Sequence, residues 1–155
     1  MPSVKQKLVT FRVEDALDKT EIEDLKEEIE SWRDSLEGTS LASSAKYDAL
    51  DEAVGTLSEA DNIDFADIWE EVDEGHIDLI KNLTFTVSQS YQPSKSHKLG
   101  RSWRLSNWVS MVVTALETVE EYYSQHPEID APDALTSIKD TINEIEQVEF
   151  PTMYG

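Results

Sequence analysis

Residues 20–57 read TEIEDLKEEIESWRDSLEGTSLASSAKYDALDEAVGTL, and their apolar side chains recur at helical spacing. Steps of three and four residues separate a first group on one helix face, namely Ile22, Leu25, Ile29, Trp32 and Leu36. After the loop TSLASS the same steps separate Tyr47, Leu50, Val54 and Leu57. Thr20 and Glu23 predict a capping box, and Gly38 predicts a C-terminal cap. Two such helices with a short connection predict an antiparallel helical hairpin.

The rest of the chain also reads mainly as helix. Asp64 is expected to cap a third helix that ends near Gly75 and carries Phe65, Ile68, Trp69 and Val72. A long helix is predicted over about residues 101–124, with an inner face of Leu105, Trp108, Val109, Val112, Leu116, Val119 and Tyr123. Asp130 and Pro132 open a last helix that Pro151 stops, with an apolar stripe of Leu135, Ile138, Ile142, Ile145 and Val148.

Two short segments, LVTF near residue 8 and LTFTV at 83–87, are rich in β-branched residues and suit strands. The sequence therefore predicts a mainly α fold: a bundle of about five helices built on the hairpin, with room for a minor two-stranded β ribbon. Residues 1–13 are expected to form an arm or a short strand, and residues 14–155 a single helical domain.

Composition narrows the cellular setting and the chemistry. The chain has no Cys, which excludes disulfides, thiolate metal sites and Cys nucleophiles. No segment has the apolar run of a signal peptide or of a membrane span. We expect a cytoplasmic protein with no membrane contact, in the host cytoplasm if the protein is viral.

Charge is very unevenly distributed along the chain. The 33 Asp and Glu residues against 13 Lys and Arg give a formal charge of −20. Between Tyr47 and Ile80 there are twelve acids and no Lys or Arg, whereas residues 79–116 contain no acid at all. The second region includes a basic island with Lys95, Lys98, Arg101, Trp103 and Arg104. Few cations set against −20 make direct nucleic-acid binding a poor expectation.

The basic island and the acidic helix faces are the candidate binding elements. The island is expected to dock on the chain's own acidic helices, to assemble with a second copy, or to remain an exposed loop. The candidate acidic face comprises Glu21, Asp24, Glu28, Asp34, Asp48, Asp51, Asp64, Asp67, Glu70 and Asp73. Rows of carboxylates on a rigid scaffold would let the protein imitate DNA, although an ordinary solvated helix face has the same composition.

Catalytic patterns are weak in this sequence. The three His residues, at 76, 97 and 126, fall in no nucleophile motif, so no catalytic residue is predicted. Carboxylates three apart, as in Glu27 with Glu30, Glu71 with Glu74 and Glu117 with Glu120, are the pattern of Mg²⁺-dependent all-α nucleotide hydrolases. In so acidic a chain such pairs also arise by chance, so we predict no metal site and no cofactor.

One segment resembles a known group of proteins. Residues 28–57 contain Trp32-Arg33-Asp34, Glu37-Gly38-Thr39, Lys46-Tyr47 and Glu52-Ala53, a pattern similar to helix–loop–helix segments of small tailed-phage proteins of unassigned function. The resemblance covers about a fifth of the chain and implies a viral origin, with no catalytic residues.

The sequence thus favours a non-enzymatic, acidic, phage-encoded accessory protein that binds a protein partner. In its narrower form, the partner is a basic or DNA-binding host protein and the chain inhibits a host defence or DNA-handling enzyme by DNA mimicry. The alternatives are a self-assembling structural phage protein, for which a homo-oligomer is expected, and the Mg²⁺-dependent hydrolase.

Overall fold

A computed structural model describes residues 4–42, 44–94 and 98–151. Within these ranges the fold is mainly helical, with five α-helices of eight or more residues and one two-stranded sheet, as predicted. The elements follow in the order β1 Lys5–Arg12, α1 Val13–Ala16, α2 Thr20–Leu36, α3 Ala45–Leu57, 3₁₀ turns Ser58–Asn62 and Phe65–Trp69, α4 Glu74–Lys81, β2 Thr84–Tyr91, α5 Arg101–Gln125 and α6 Ala134–Glu146.

The antiparallel hairpin of α2 and α3 is confirmed by the polar contacts between its two arms. The Tyr47 hydroxyl donates to Glu37 at 2.9 Å, next to the connecting loop. Farther from the loop, Arg33 Nη1 donates to Asp51 at 2.8 Å. Residues progressively earlier in α2 therefore meet residues progressively later in α3, as antiparallel packing requires.

The predicted capping box at Thr20 is wrong. The Asp18 carboxylate accepts from both the Thr20 backbone N–H, at 2.9 Å, and the Thr20 hydroxyl, at 2.7 Å. Lys19 is the N-cap residue, and its carbonyl accepts from the Glu23 N–H at 2.9 Å. Because Lys19 is the N-cap residue, Thr20 is the first helical residue, and the Glu23 N–H donates to the Lys19 carbonyl instead of to the Thr20 hydroxyl.

Gly38 follows the C-cap residue of α2 and has a positive φ of 78°, a backbone conformation that residues with a Cβ rarely adopt. This confirms its predicted role at the C-terminal end of the helix. We expect Gly38→Ala to destabilise the protein by about 1 kcal/mol because of this positive φ. Gly55 lies inside α3, and a Cβ added there would have no heavy atom of another part of the chain within 4 Å, so Gly55→Ala should instead stabilise by about 0.5–1 kcal/mol. Urea unfolding of both variants gives the measurement, and shifts of the same sign would contradict it.

The predicted third helix is wrong in its type and length, although Asp64 does cap its first turn. Residues 65–69 form a 3₁₀ turn, Glu71 has a positive φ of 63°, and α4 begins at Glu74, where the expected helix should have been ending. Acids at Asp61, Asp64, Asp67, Glu70 and Asp73 repeat every third residue with no cation between them. Like charges at this spacing destabilise an α-helix. The irregular backbone observed here buries Ile68 while the acids remain exposed.

The β ribbon is confirmed, with β1 antiparallel to β2 from the pair Lys5 and Tyr91 to the pair Arg12 and Thr84. One edge of the ribbon is held by α5. The Asn107 side chain accepts from the Ser90 N–H and donates to the Ser90 carbonyl, each at 2.8 Å. A side-chain amide on a helix thus satisfies the outward main-chain groups of β2 at this residue.

The core forms around α5, and all seven residues of its predicted inner face are buried. Trp108 is 2% exposed, and its indole N–H donates to the Asp18 carbonyl at 2.7 Å. The Tyr123 hydroxyl donates to the Ile68 carbonyl at 2.7 Å, which attaches the irregular 65–69 segment to α5, and burial raises the pKa of this phenol to about 12. The stripe of α6 is buried from Leu135 to Ile145, although the helix ends before Val148. Among the described residues no helix is long and apolar enough to cross a membrane.

Candidate functional site

Two arginines of the basic island lie on the acidic face of α2, and we call Glu21, Glu28, Arg101 and Arg104 the charged cluster. Arg104 donates through Nη1 and Nη2 to the two carboxylate oxygens of Glu28, at 3.0 and 2.6 Å, and through Nε to Glu21 at 2.6 Å. Arg101 Nε also donates to Glu28, at 3.2 Å. The island therefore docks in part on a helix of its own chain.

The geometry of the charged cluster follows from helical spacing. Glu21 and Glu28 are seven residues apart and share one face of α2, while Arg101 and Arg104 are three apart on the first turn of α5. Hydrogen bonding from Arg104 holds the pKa of Glu28 below its ordinary value, and the same bond raises the pKa of Arg104. The guanidinium of Arg101 also lies 5.4 Å from the Trp32 ring centroid, within cation–π range.

A cleft of about 620 Å³ opens beside the charged cluster. Its lining combines the ribbon, α2 and α5 and consists of Phe11, Glu21, Glu28, Gln89, Lys98, Leu99, Arg104, Asn107, Trp108 and Met111. Several of its polar groups already bond within the chain: Arg104 to the two glutamates, Asn107 to Ser90, and the Trp108 indole to Asp18. The cleft therefore offers mainly an apolar floor.

Two described residues of the island, Lys98 and Trp103, lie apart from the charged cluster. Lys98 is exposed and lines the cleft, while Trp103 is 44% exposed on the outside of α5. Lys95 and His97 lie outside the described residues.

The predicted acidic face divides into separate groups. Glu21 and Glu28 belong to the charged cluster, whereas Asp34 and Asp51 both bind Arg33, at 3.2 and 2.8 Å. Asp24 and Asp48 are exposed, the first on α2 and the second on α3. The remaining four, Asp64, Asp67, Glu70 and Asp73, lie together on the irregular segment before α4.

We call residues 61–78 the acidic segment. It contains eight exposed acids: Asp61, Asp64, Asp67, Glu70, Glu71, Asp73, Glu74 and Asp78. In the described part of the chain only Asp61 among them forms an ion pair, with Lys26 at 3.0 Å. Asp64 caps the 3₁₀ turn by accepting from the Ala66 N–H at 3.0 Å. The segment is thus a dense anionic surface with little compensation from the protein itself.

The carboxylate pairs considered for Mg²⁺ do not converge. Glu71 and Glu74 do not share a helix, because Glu71 lies in the turn before α4. Glu27 is exposed on α2, and Glu120 binds Lys139 at 2.8 Å. Across residues 4–42, 44–94 and 98–151 no group of three or more His, Asp or Glu side chains is placed to hold a metal ion.

A histidine–tyrosine cluster went unpredicted. The Tyr122 hydroxyl lies 2.6 Å from His76 Nδ1, and the Tyr122 ring stacks on His126 with centroids 4.0 Å apart. His126 Nδ1 lies 2.8 Å from the Tyr122 carbonyl. The i, i+4 spacing of Tyr122 and His126 indicated their proximity, but only the tertiary fold brings His76 to them. Together they attach α4 to the C-terminal end of α5.

Glu59 is an acid that the fold accommodates poorly. Its Oε2 is buried without a hydrogen-bond partner among the described residues, and burial together with the nearby Glu144 raises its pKa. At neutral pH the folded state therefore holds a carboxylate that it disfavours relative to the unfolded chain.

We expect Glu59→Gln to raise the melting temperature at pH 7 by about 1–3 °C. The gain should vanish as the pH falls below the ordinary value of 4.5, where Glu59 is protonated in both states. Thermal unfolding followed by circular dichroism measures the effect. Glu52→Gln, at an exposed acid on α3, makes the same charge change and serves as the control; an equal gain there would assign the effect to net charge.

A comparison of this chain with protein-family models, curated proteins and solved structures finds no match.

Proposed function

We propose that the protein is a non-enzymatic accessory protein that acts by binding a basic protein partner through the acidic segment. The observation that supports this proposal most directly is the concentration of eight exposed acids within residues 61–78, with Asp61 the only one that ion-pairs in the described part of the chain. Acids so close together repel one another, and a surface rich in Lys and Arg would relieve that repulsion on contact.

The support of the acidic segment suits a binding surface. Ile68 is fully buried, and its carbonyl accepts a hydrogen bond from Tyr123 of α5. These contacts with the core fix the backbone of the acidic segment, while its acids remain exposed. Attraction between exposed charges is screened by salt over about 8 Å at physiological ionic strength. We therefore expect partner binding to weaken strongly as salt is raised.

The narrower proposal is that the partner is a DNA-binding enzyme, whose basic groove accepts the acidic segment in place of DNA. The hairpin resemblance to small phage proteins makes a host cytoplasmic enzyme the first partner to test, and a defence or DNA-handling enzyme would fit this chemistry.

Capture from host cytoplasmic extract tests the proposal. Wild-type protein is compared with a variant in which Asp64, Asp67 and Asp73 become Asn and Glu70 becomes Gln. Asn at residue 64 keeps an oxygen acceptor for the Ala66 N–H. The matched control neutralises four exposed acids elsewhere, with Asp130, Asp133 and Asp140 changed to Asn and Glu27 to Gln.

We expect the segment variant to lose at least about tenfold in partner affinity and the control variant to retain it. Equal loss in both variants would show that net charge alone governs binding and would contradict the role of the segment. Competing duplex DNA tests the narrower proposal, because a DNA-mimicking contact and DNA exclude each other. A partner that stays bound at saturating DNA would reject mimicry.

A further inference from the structure

The outer edge of β1 carries main-chain groups that point away from the ribbon. The Val13 N–H donates to the Leu83 carbonyl at 2.8 Å, and these two residues continue the register of the β1–β2 pairs. In an antiparallel ladder, hydrogen-bonded and non-hydrogen-bonded pairs alternate. The odd-numbered residues of β1 therefore bond to β2, while the N–H and C=O groups of Gln6, Leu8 and Thr10 point outward.

The opposite edge of the ribbon supports this alternation. Ser90 pairs with Gln6 in the register, so its own main-chain groups should point away from β1. They do, because both bond to the Asn107 side chain. The edge of β2 is thus held against α5 at this residue, whereas β1 has no second strand beside it in the part of the chain that the structure describes.

The outward-bonding residues at the centre of the β1 edge, Gln6, Leu8 and Thr10, have uncharged side chains. Leu8 is 76% exposed, the most exposed large hydrophobic residue described, and its neighbours on the same ribbon face are Gln6 and Thr10. Neither strand contains an acid, although the chain carries a net charge of −20. The ribbon is therefore a surface on which two copies can meet without bringing carboxylates of the two strands face to face.

We propose that two copies of this chain pair through their β1 edges to form a continuous four-stranded antiparallel sheet. With Leu8 on the twofold axis, Leu8 of each copy lies opposite Leu8 of the other, and Gln6 lies opposite Thr10. This register matches outward-bonding residues with outward-bonding residues. It also sets Lys5 opposite Phe11 and Lys7 opposite Val9, so that no like charges are directly opposed.

The pairing has an unusual salt dependence. Two chains of charge −20 repel each other at long range, while the contact itself consists of main-chain hydrogen bonds and a Leu pair. Salt should therefore strengthen dimerisation, in contrast to the weakening expected for an ionic contact. Eight-residue strands bury less area than a standard interface, so we expect a dissociation constant on the order of micromolar or weaker.

Sedimentation velocity over a concentration series, at low and high salt, tests the dimer. Leu8→Pro removes one outward N–H donor but no bond between β1 and β2, because that N–H points away from β2. Leu8→Lys is compared with Leu79→Lys, which makes the same exchange at a residue that is 60% exposed on α4. Far-UV circular dichroism checks that each variant keeps its helices.

We expect wild type and Leu79→Lys to dimerise alike, more strongly at high salt, and both Leu8 variants to dimerise at least about tenfold more weakly. A wild type that stays monomeric at every concentration and salt would overturn the proposal, with Lys5 and Lys7 then acting as edge protection. A dimer unaffected by Leu8→Pro would overturn it equally.

Cross-linking provides a second measurement. Because the chain has no Cys, Leu8→Cys introduces a single thiol. Residues opposite each other in a hydrogen-bonded pair have Cα atoms about 5.5 Å apart, within disulfide range. Mild oxidation should give a covalent dimer of Leu8→Cys and little of Leu79→Cys. Equal cross-linking of the two would show random collision and contradict the register.

Discussion

Replacing Trp108 by Ala is expected to lower the free energy of unfolding by about 3–5 kcal/mol, the largest effect we predict. Trp108 lies at the centre of the inner face of α5 and is 2% exposed, so Ala would leave a large cavity. The exchange also removes the indole N–H donated to the Asp18 carbonyl. Asp18 in turn holds the first residue of α2, so the loss would extend to the start of the hairpin.

Two further variants separate the causes in urea unfolding experiments. Trp108→Phe keeps an aromatic ring but loses the donor, and should cost about 1–3 kcal/mol. Trp103→Ala removes the same side chain from the exposed side of the same helix, and should change stability by no more than about 0.5 kcal/mol. Comparable losses at residues 103 and 108 would contradict the placement of the core.

Replacing Arg104 by Met should cost about 1–3 kcal/mol at pH 7, the second largest effect. The Arg104 side chain is 19% exposed, and its removal leaves Glu21 and Glu28 facing each other without their shared cation. Both glutamates keep roughly two fifths of their side-chain exposure, which moderates the loss relative to a fully buried pair. Urea unfolding at pH 7 gives the measurement.

Two comparisons identify the charged cluster as the cause. Arg33→Met removes an arginine that also binds two acids, but Asp34 and Asp51 are more than half exposed, so the cost should be about 1 kcal/mol or less. Adding Glu21→Gln to Arg104→Met should recover part of the stability, because Glu21 loses its cation in Arg104→Met whereas Glu28 still pairs with Arg101 at 3.2 Å. A double variant less stable than Arg104→Met would contradict this explanation.

The same interaction fixes a pH dependence. The folded protein holds the pKa of Glu28 below its ordinary value of 4.5, so the interaction contributes fully above that value and is lost as the pH falls through the lower folded pKa. The stability difference between wild type and Arg104→Met should therefore narrow below about pH 4.5. A difference independent of pH would assign the loss to packing of the Arg104 stem.

The regular spacing of apolar residues was sufficient to predict most of the fold. The stripes of α2, α3, α5 and α6 predicted helices that begin and end within a few residues of those observed, because each stripe must face one core. For residues 64–75 the same spacing predicted an α-helix that the structure does not contain. Phe65, Ile68 and Val72 have helical spacing, but acids repeat there every third residue with no Lys or Arg among them. In α2, where acids repeat at the same spacing, Lys26 lies among them and the helix is continuous.

The charged cluster could be predicted only in part. The sequence indicated that Glu21 with Glu28, and Arg101 with Arg104, each share a helix face. Which faces meet depends on how α5 crosses α2, and the contacts join residues 73 to 83 positions apart. The role of Asn107 was missed for a related reason: a single amide on a helix carries no pattern, and its partner is the backbone of a strand.

The ribbon has a consequence for how the chain folds. Its pairs join residues 72 to 86 positions apart, whereas the α2–α3 hairpin closes over a few residues. Contacts of high sequence separation form slowly because the intervening chain must first be ordered. During synthesis β1 emerges before β2, and its partner strand is complete only when Tyr91 has left the ribosome. Both edges of β1 therefore remain open while the chain from β1 to Tyr91 is made, so the nascent chain passes through a period in which this strand can pair with other proteins.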